Sequence, residues 1–433
     1  NPICICRRTT AMNIKLGGKM MLKRRKLVFW LLIIALSIPI VLSGCSNGTT
    51  PTATPATSPT PAVEDPTPTE SSGGTDLKDL NLPDFISFAS YDVGSATFAQ
   101  VAGLCEGVMN VTGIKTRQIV SGTDFGRMIP VRSGQVHFFL GTSNTVELAS
   151  TGKSPFNTSD WGPQAFRQVW SSLSSGGIGV YVLEKSDINT IADLKGKRVT
   201  YITGNDSANL VGEAILAYAG LTWDDVEKCI CSSPSDAYTA LSEGRADCYW
   251  GGATAATLFE MDQTMGLRLV EFDRDDQEAW GRLRNFAATF YPKEGTVGVD
   301  MSEDNPKCVL GFVAPVVMTY AQLDDDIAYA VTKAIDISYD AYKDINVELV
   351  GWRAGLALVP EALVVPFHDG AIKYLKEAGY WNDELQAKQD ALLEKEAKLQ
   401  ELWNSALTKA SEQKIKSADF AAFWDQVRKD AGY

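Results

Sequence analysis

From Asp84 onward, short apolar runs alternate with longer stretches whose apolar residues recur every three to four positions. Runs of strand length followed by stretches of helix length are the pattern of α/β units on largely parallel sheets. The pattern predicts strands over 85–89, 115–120 and 137–140, helices over 98–109 and 126–133, and a strand over 177–183. A second module begins near residue 191, with strands over 199–203, 227–231 and 246–250 separated by helices over 208–219 and 235–243. A long apolar strand over 309–319 follows, then a helix over 324–341 that carries Ile327, Val331, Ala334 and Ile335 on one face. Beyond it, 383–409 reads as a charged helix with Leu385, Leu392 and Leu399 seven apart. Three heptad positions are too few for a coiled coil, so this helix is expected to pack against the body. A last helix over 417–429, capped near Ser417 or Asp419, presents Phe420, Phe423, Trp424 and Val427 to a core.

The amino-terminal segment carries a different signal. Lys23, Arg24, Arg25 and Lys26 precede an apolar run over 27–42 that is short for a spanning helix and ends at Leu42-Ser43-Gly44-Cys45. That ending resembles a bacterial lipobox, which implies cleavage before Cys45 and a lipid on its thiol. A single membrane anchor is the other reading, and both export everything after residue 45. Residues 1–19 read as upstream sequence, with Met12, Met20 or Met21 as the start, so 1–44 forms the leader. Residues 45–76 hold Cys45 and a Thr/Pro/Ser spacer that cannot bury a core.

The leader holds eight of the 40 Lys and Arg and none of the 53 acids, which leaves the exported part at a net charge of −21. Such a chain is a poor partner for nucleic acid or an anionic lipid surface. About 350 residues remain after the spacer, enough for two cores. Cys105, Cys229, Cys231, Cys248 and Cys308 are an odd set in a compartment that permits disulfides, so at least one thiol stays unpaired unless a partner chain supplies another. Cys229 and Cys231 lack a second metal-spaced pair or a nearby histidine, so no metal site and no cofactor is expected.

Four strand ends share one composition, a short polar, Gly-containing turn before a helix: 90–95, 121–124, 141–144 and 204–207. In an open α/β sheet such turns gather at the carboxyl edge, where helix amides and small hydroxyls meet a ligand, although each is also an ordinary helix cap. Catalytic signatures are absent: His137 and His368 are the only histidines, and no Gly-x-Ser-x-Gly, HExxH or GxxxxGK[ST] occurs. His137, inside an apolar strand, reads as a buried or hinge histidine. A hydrolase using two carboxylates stays open as an alternative without a positive signal.

Over about residues 84–381 the chain resembles the TAXI family of TRAP transporter solute receptors. The resemblance lies in the turn 94–98, the turn 121–123 with Ser133-Gly134, the stretch 186–199 ending Asp193-Leu194-Lys195-Gly196-Lys197-Arg198-Val199, Ala219-Gly220-Leu221 and 241–247. Its most specific part is His368-Asp369-Gly370-Ala371-Ile372-Lys373-Tyr374 and on to Gly379. It implies a two-lobed periplasmic-binding-protein type II fold with a hinge, to which the helices read in the tail add a C-terminal helical extension over 381–433. Lobe 1 would be 84–183 with 309–380, lobe 2 would be 186–305, and the crossings would lie at 179–185 and 309–320. The implied ligand cleft is lined by Tyr91, Asp92, Gly94, Ser95 and Ala96, by Ser121, Thr123 and Asp124, by Thr142 and Ser143, and by Asn205, Asp206 and Ser207, with Tyr249 and Trp250 as an apolar wall.

Asp92, Asp124 and Asp206 stand where the family's turns carry serines, and Arg127 where it tends to have Asn. Three carboxylates facing a dry cleft would repel a dicarboxylate. An amine-bearing solute, an amino acid or small cation, is therefore expected, with Arg127 as a partner for a ligand carboxylate. The other reading is that each Asp caps its helix and faces away. The implied role is a monomeric, lipid-anchored, extracytoplasmic receptor that serves a TRAP-type permease without catalysis, with an ABC-transporter receptor or a sensor as alternatives.

Overall fold

The computed structural model describes residues 76–286 and 289–433; the leader, Cys45 and nearly all of the spacer lie outside the described residues. The chain opens with β1 (Ile86–Ser90), buried along its length, and α1 (Ala96–Thr112), capped by Ser95 and ended by Gly113 at φ 73°. A left-handed C-terminal residue of this kind is the position glycine occupies without steric cost. Next come β2 (Thr116–Val120), α2 (Asp124–Arg132), β3 (Phe138–Gly141), α3 (Ser143–Ser150) and β4 (Phe166–Leu173). The chain then leaves this sheet through residues 174–177.

The second lobe holds β5 (Ile178–Leu183), β6 (Arg198–Ile202), α4 (Asp206–Tyr218), β7 (Glu227–Cys231), α5 (Pro234–Ser242), β8 (Tyr249–Gly252) and α6 (Ala256–Met265). It continues through β9 (Leu267–Val270), α7 (Gln277–Arg284), β10 (Tyr291–Gly295) and β11 (Lys307–Gly311). At Phe312 the chain crosses back into β12 (Val313–Tyr320), α8 (Asp325–Ile337), α9 (Tyr339–Tyr342), a 3-10 turn over Val347–Trp352 and α10 (Asp369–Glu377). The first sheet has the order β2-β1-β3-β12-β4; the second has β10-β11-β5-β8 with β9 on β5, beside a β6-β7 pair that is bridged from Val199 to Cys248, just before β8. Two α/β lobes joined by two crossings are the type II periplasmic-binding-protein arrangement.

Strand period sorts the core. On β3, Phe138 and Leu140 face the cluster under α1, α8 and α10, while Phe139 faces the cluster under α2 and α3. Burying each such side chain contributes about 1.5–3 kcal/mol. The tail, α11 (Asp383–Glu412) and α12 (Ser417–Asp430), lies on the first lobe. Glu396 takes a bidentate pair from Arg167 at 2.7 and 3.0 Å, and Trp424 Nε1 donates to Gly152 O at 2.8 Å. Gly162, at φ 64°, lies so close under the Trp403 indole that a Cβ there would collide with it.

The structure differs from the sequence reading at the crossings. β5, expected within the first lobe, belongs to the second sheet, and the crossing sits at 174–177 rather than 179–185. The first lobe's outer strand, β4, gave no signal because Arg167, Gln168, Ser171 and Ser172 interrupt its apolar residues. The expected single strand over 309–319 is broken at Phe312, where the chain changes lobes, and the helix over 324–341 is broken at Ser338. All five described cysteines are free thiols, and no described helix is long and apolar enough to cross a membrane.

Candidate functional site

A cavity of about 140 Å³ lies between the lobes. Three of the four turns reach it, each from the end of a strand and the cap of the helix that follows. Ser95 accepts from Phe98 N at 3.2 Å, Thr142 from Thr145 N at 3.2 Å, and Asn205 from Ala208 N at 3.3 Å. The first lobe contributes Tyr91, Ser95, Ala96, Thr97, Gln100, Gly141 and Thr142; the second contributes Ile202, Asn205, Ser207, Val211, Tyr238, Tyr249 and Trp250. The crossings and the strand ends beside them add Ser174, Ile178, Phe312, Ala314 and Pro315, and Glu348 closes one wall from the 3-10 turn.

Of the sequence-predicted residues, Tyr91, Ser95, Ala96, Thr142, Asn205, Ser207, Tyr249 and Trp250 line this space. Asp92, Gly94, Ser121, Thr123, Asp124, Arg127, Ser143 and Asp206 do not. Asp124 and Arg127, 0% and 1% exposed, pair with each other at 2.6 Å. Arg127 also donates to Ser121 O at 3.0 Å and stacks over the Tyr91 ring at 3.7 Å. Ser207, from the opposite lobe, donates to Asp124 through its N–H at 3.1 Å and its hydroxyl at 2.9 Å. Asp124 and Arg127 are thus engaged by the protein itself, through a partner three residues away on the same helix turn and through Ser207 of the opposite lobe.

The other absent residues join the lobes or cap helices. Asn205 Nδ2 donates to Gly122 O at 2.9 Å, Ser235 Oγ donates to Asp92 Oδ2 at 3.4 Å, and Thr257 Oγ1 donates to Gly94 O at 3.4 Å. Gly94, at φ 88°, passes so close to Thr257 that a Cβ would lie 2.5 Å from its hydroxyl oxygen. Ser143 Oγ meets Thr289 Oγ1 at 3.2 Å, and Thr123 caps α2. Asp206 opens α4; burial, and then the charge of Asp124, hold its carboxyl above the usual range. None of the three aspartates expected to converge on a ligand lines this cavity.

Within the cavity the phenols remain protonated. Burial pushes Tyr91 up against the opposing effect of Arg127, Tyr238 to about 12, and Tyr249 well above its ordinary value. The Tyr238 and Tyr249 rings lie 4.4 Å apart. Glu348, 2% exposed, is the one carboxylate among the lining residues. Its Oε1 accepts from Gly176 N at 3.0 Å and Thr254 Oγ1 at 2.6 Å, and its Oε2 from Ser175 N at 2.6 Å. Both histidines lie elsewhere: His137 Nδ1 meets Ser87 Oγ at 2.7 Å, and His368 caps α10.

Sequence reasoning missed Glu348, Tyr238, Gln100 and the hinge residues Ser174, Phe312 and Pro315. Phe312 carried a readable sign, since Gly311 and Pro315 flank it inside an apolar run. Glu348 carried none, because its partners lie 94 to 174 residues away in the chain.

The chain is 36% identical over 118 residues to a protein of Escherichia coli (strain K12) bearing the name of an aliphatic sulfonates-binding protein. That segment is 27% of this chain and 35% of the relative, about a third of its length. Similar solved structures include the periplasmic aliphatic sulphonate binding protein SsuA from Escherichia coli, at 14% identity and a TM-score of 0.39, covering 72% of this chain and 88% of that one. Another is the alkanesulfonate-binding protein SsuA from Xanthomonas axonopodis pv. citri bound to MOPS, at 13% identity and 0.42, covering 71% and 91%. The NMT1-like family matches residues 93–379, nearly the whole of both lobes, and this chain belongs to that family.

Proposed function

We propose that the protein is an extracytoplasmic solute receptor that encloses a small ligand between its lobes and hands it to a membrane permease without chemical change. The observation that carries this reading is the cavity itself, whose wall is assembled from both lobes and both crossings, so that closing the hinge completes it. At about 140 Å³ it matches a solute of roughly six to ten heavy atoms; an engineered cavity of about 150 Å³ in another protein takes benzene. The name of the Escherichia coli relative, that of a solute-binding protein, agrees with this reading.

The resemblance carried by residues 368–379 favours a TRAP-type permease. In this reading Cys45 holds the lipid and the 30-residue spacer over 46–75, at about 3.1 Å per extended residue, sets a search radius of roughly 90 Å. Such a tether raises the receptor's concentration near a permease in the same membrane.

Thermal-shift screening of small solutes tests the receptor reading. A true ligand at 100 times its Kd stabilises the folded state by about 2.7 kcal/mol and is recovered unchanged. A screen in which no solute raises the melting temperature, or in which the stabilising solute is consumed, overturns it. Uptake by cells carrying receptor and permease identifies the partner: loss on collapse of the ion gradient supports a TRAP system, and loss only on ATP depletion assigns an ABC transporter. Cys45→Ala abolishes metabolic labelling by palmitate if the anchor is a lipid.

A further inference from the structure

We propose that Glu348 reads the charge of the ligand and selects a small solute bearing an ammonium or other N–H donor, with its apolar body against the aromatic walls. The inference rests on the receptor reading and names the ligand class of that same cavity. Glu348 is 2% exposed and lines the cavity, and no Lys or Arg lines it with Glu348. Arg127 is engaged by Asp124 and Ser121 and lies against Tyr91 rather than among the lining residues.

All the groups that hold Glu348 are neutral. Oε1 accepts from Gly176 N at 3.0 Å, Thr254 Oγ1 at 2.6 Å and Ser174 Oγ at 3.4 Å, while Oε2 accepts only from Ser175 N at 2.6 Å. A carboxylate oxygen offers two lone pairs; those of Oε1 are filled by Gly176 and Thr254, with Ser174 at 3.4 Å only a marginal third contact, and Oε2 retains capacity for one more donor. Neutral dipoles orient such a charge without cancelling it. A ligand that brings a positive charge or an N–H gains a charge-assisted bond, whereas a ligand carboxylate or sulfonate near Glu348 is repelled.

The rest of the wall suits the same class. Tyr91, Tyr238, Tyr249, Trp250 and Phe312 supply five aromatic rings, and ammonium groups are attracted to ring faces. An amine was the expectation from Asp92, Asp124 and Asp206; those three lie outside the cavity, and Glu348 supplies the carboxylate from a different part of the chain.

The test is titration calorimetry of the purified full chain with matched series that differ only in the head group. One series is benzylamine, benzyl alcohol and phenylmethanesulfonate; the other is butylamine, butanol and butanesulfonate. In each, the amine is expected to bind at least tenfold tighter than the alcohol, with the sulfonate weakest. Glu348→Gln is expected to bring the amine-to-alcohol ratio below about twofold while alcohol affinity stays within threefold. A sulfonate that binds as well as its amine, or a Gln variant that keeps the amine preference, overturns the inference. If the Gln variant does not fold, the wild-type ranking decides by itself. If no member of either series binds while other solutes stabilise the protein, the inference falls and the receptor reading stands; if no solute binds at all, both fall.

Discussion

Two carboxylates are buried at the junction of the lobes, and they are held in opposite ways. Asp124 has a guanidinium at 2.6 Å and takes two further hydrogen bonds from Ser207 across the cleft. Glu348 has only amides and hydroxyls. A charge cancelled by its own helix costs little when the lobes part, because Arg127 stays with it. What closure adds is the pair of bonds to Ser207. A charge balanced only by neutral donors still exerts its field on whatever enters the cavity. Tyr91 joins the two regions, one part of it under Arg127 and another in the cavity wall. One carboxylate therefore belongs to closure, and the other is free to serve selection.

The largest expected effect comes from removing the cation that distinguishes the two. Arg127→Ala leaves Asp124 buried without its counter-charge, and loss of one member of such a pair costs about 3–5 kcal/mol. Urea denaturation reads this directly; a loss below about 1 kcal/mol would mean that Asp124 reaches water and that the two carboxylates are alike. Glu348→Gln keeps the shape but replaces one acceptor oxygen by a donor that faces the Ser175 or Gly176 amide. The expected cost is about 1.5–3 kcal/mol, the scale of hydrogen bonds to a charged group. A Gln variant as stable as the parent would show that the hinge does not depend on this carboxylate.

Ser207→Ala is smaller still, about 1 kcal/mol, since it removes one hydroxyl bond and leaves the backbone N–H on Asp124. Its diagnostic readout is shape. Small-angle scattering of the ligand-free variant is expected to show a larger radius of gyration than the parent. An unchanged radius would place the closing energy in the other cross-cleft bonds, those of Asn205, Ser235 and Thr257.

Much of the fold was legible because its signals are local. Ser95, Thr123, Thr142 and Asn205 were readable as turn residues, and each caps the helix that follows. Strand β7 falls at Glu227–Cys231, as its apolar run indicated. What escaped depends on contacts between distant segments. β4 is buried through Gln168, Ser171 and Ser172, which hydropathy scores as surface. Glu348 sits in a 3-10 turn too short for any periodicity, and its place in the cavity wall is set by segments 174–176 and Thr254. Asp124 and Arg127 show the converse. Their three-residue spacing on one helix is that of an ion pair, whereas the sequence reading weighed a ligand contact for each against a helix-capping aspartate that faces away.

The smallest expected effect concerns Asp206, which feels the charge of Asp124 without joining the Asp124–Arg127 pair. Burial, and then the charge of Asp124, raise its carboxyl above the ordinary range. The unfolded chain therefore releases this proton first as pH rises. Asp206 costs stability between its unfolded and folded pKa values, and the cost is complete above the folded value. Asp206→Asn is expected to be slightly more stable than the parent at pH 7, and the difference should vanish below about pH 4, where the unfolded carboxyl is protonated as well. Its position at the start of α4 opposes this gain, since an anion at a helix N-terminus contributes about 0.3–1 kcal/mol that the variant gives up. His137 and His368 move the other way, because burial lowers both and stability falls as pH drops from 6.5 toward their folded values. The two slopes separate by subtraction: the histidine slope is common to parent and variant, and the Asp206 contribution is not. A carbon-detected NMR titration that finds the Asp206 carboxyl at or below its ordinary pKa would show that water reaches Asp206 and that Arg127 cancels the charge of Asp124 at this neighbour, which makes the contrast with Glu348 sharper still.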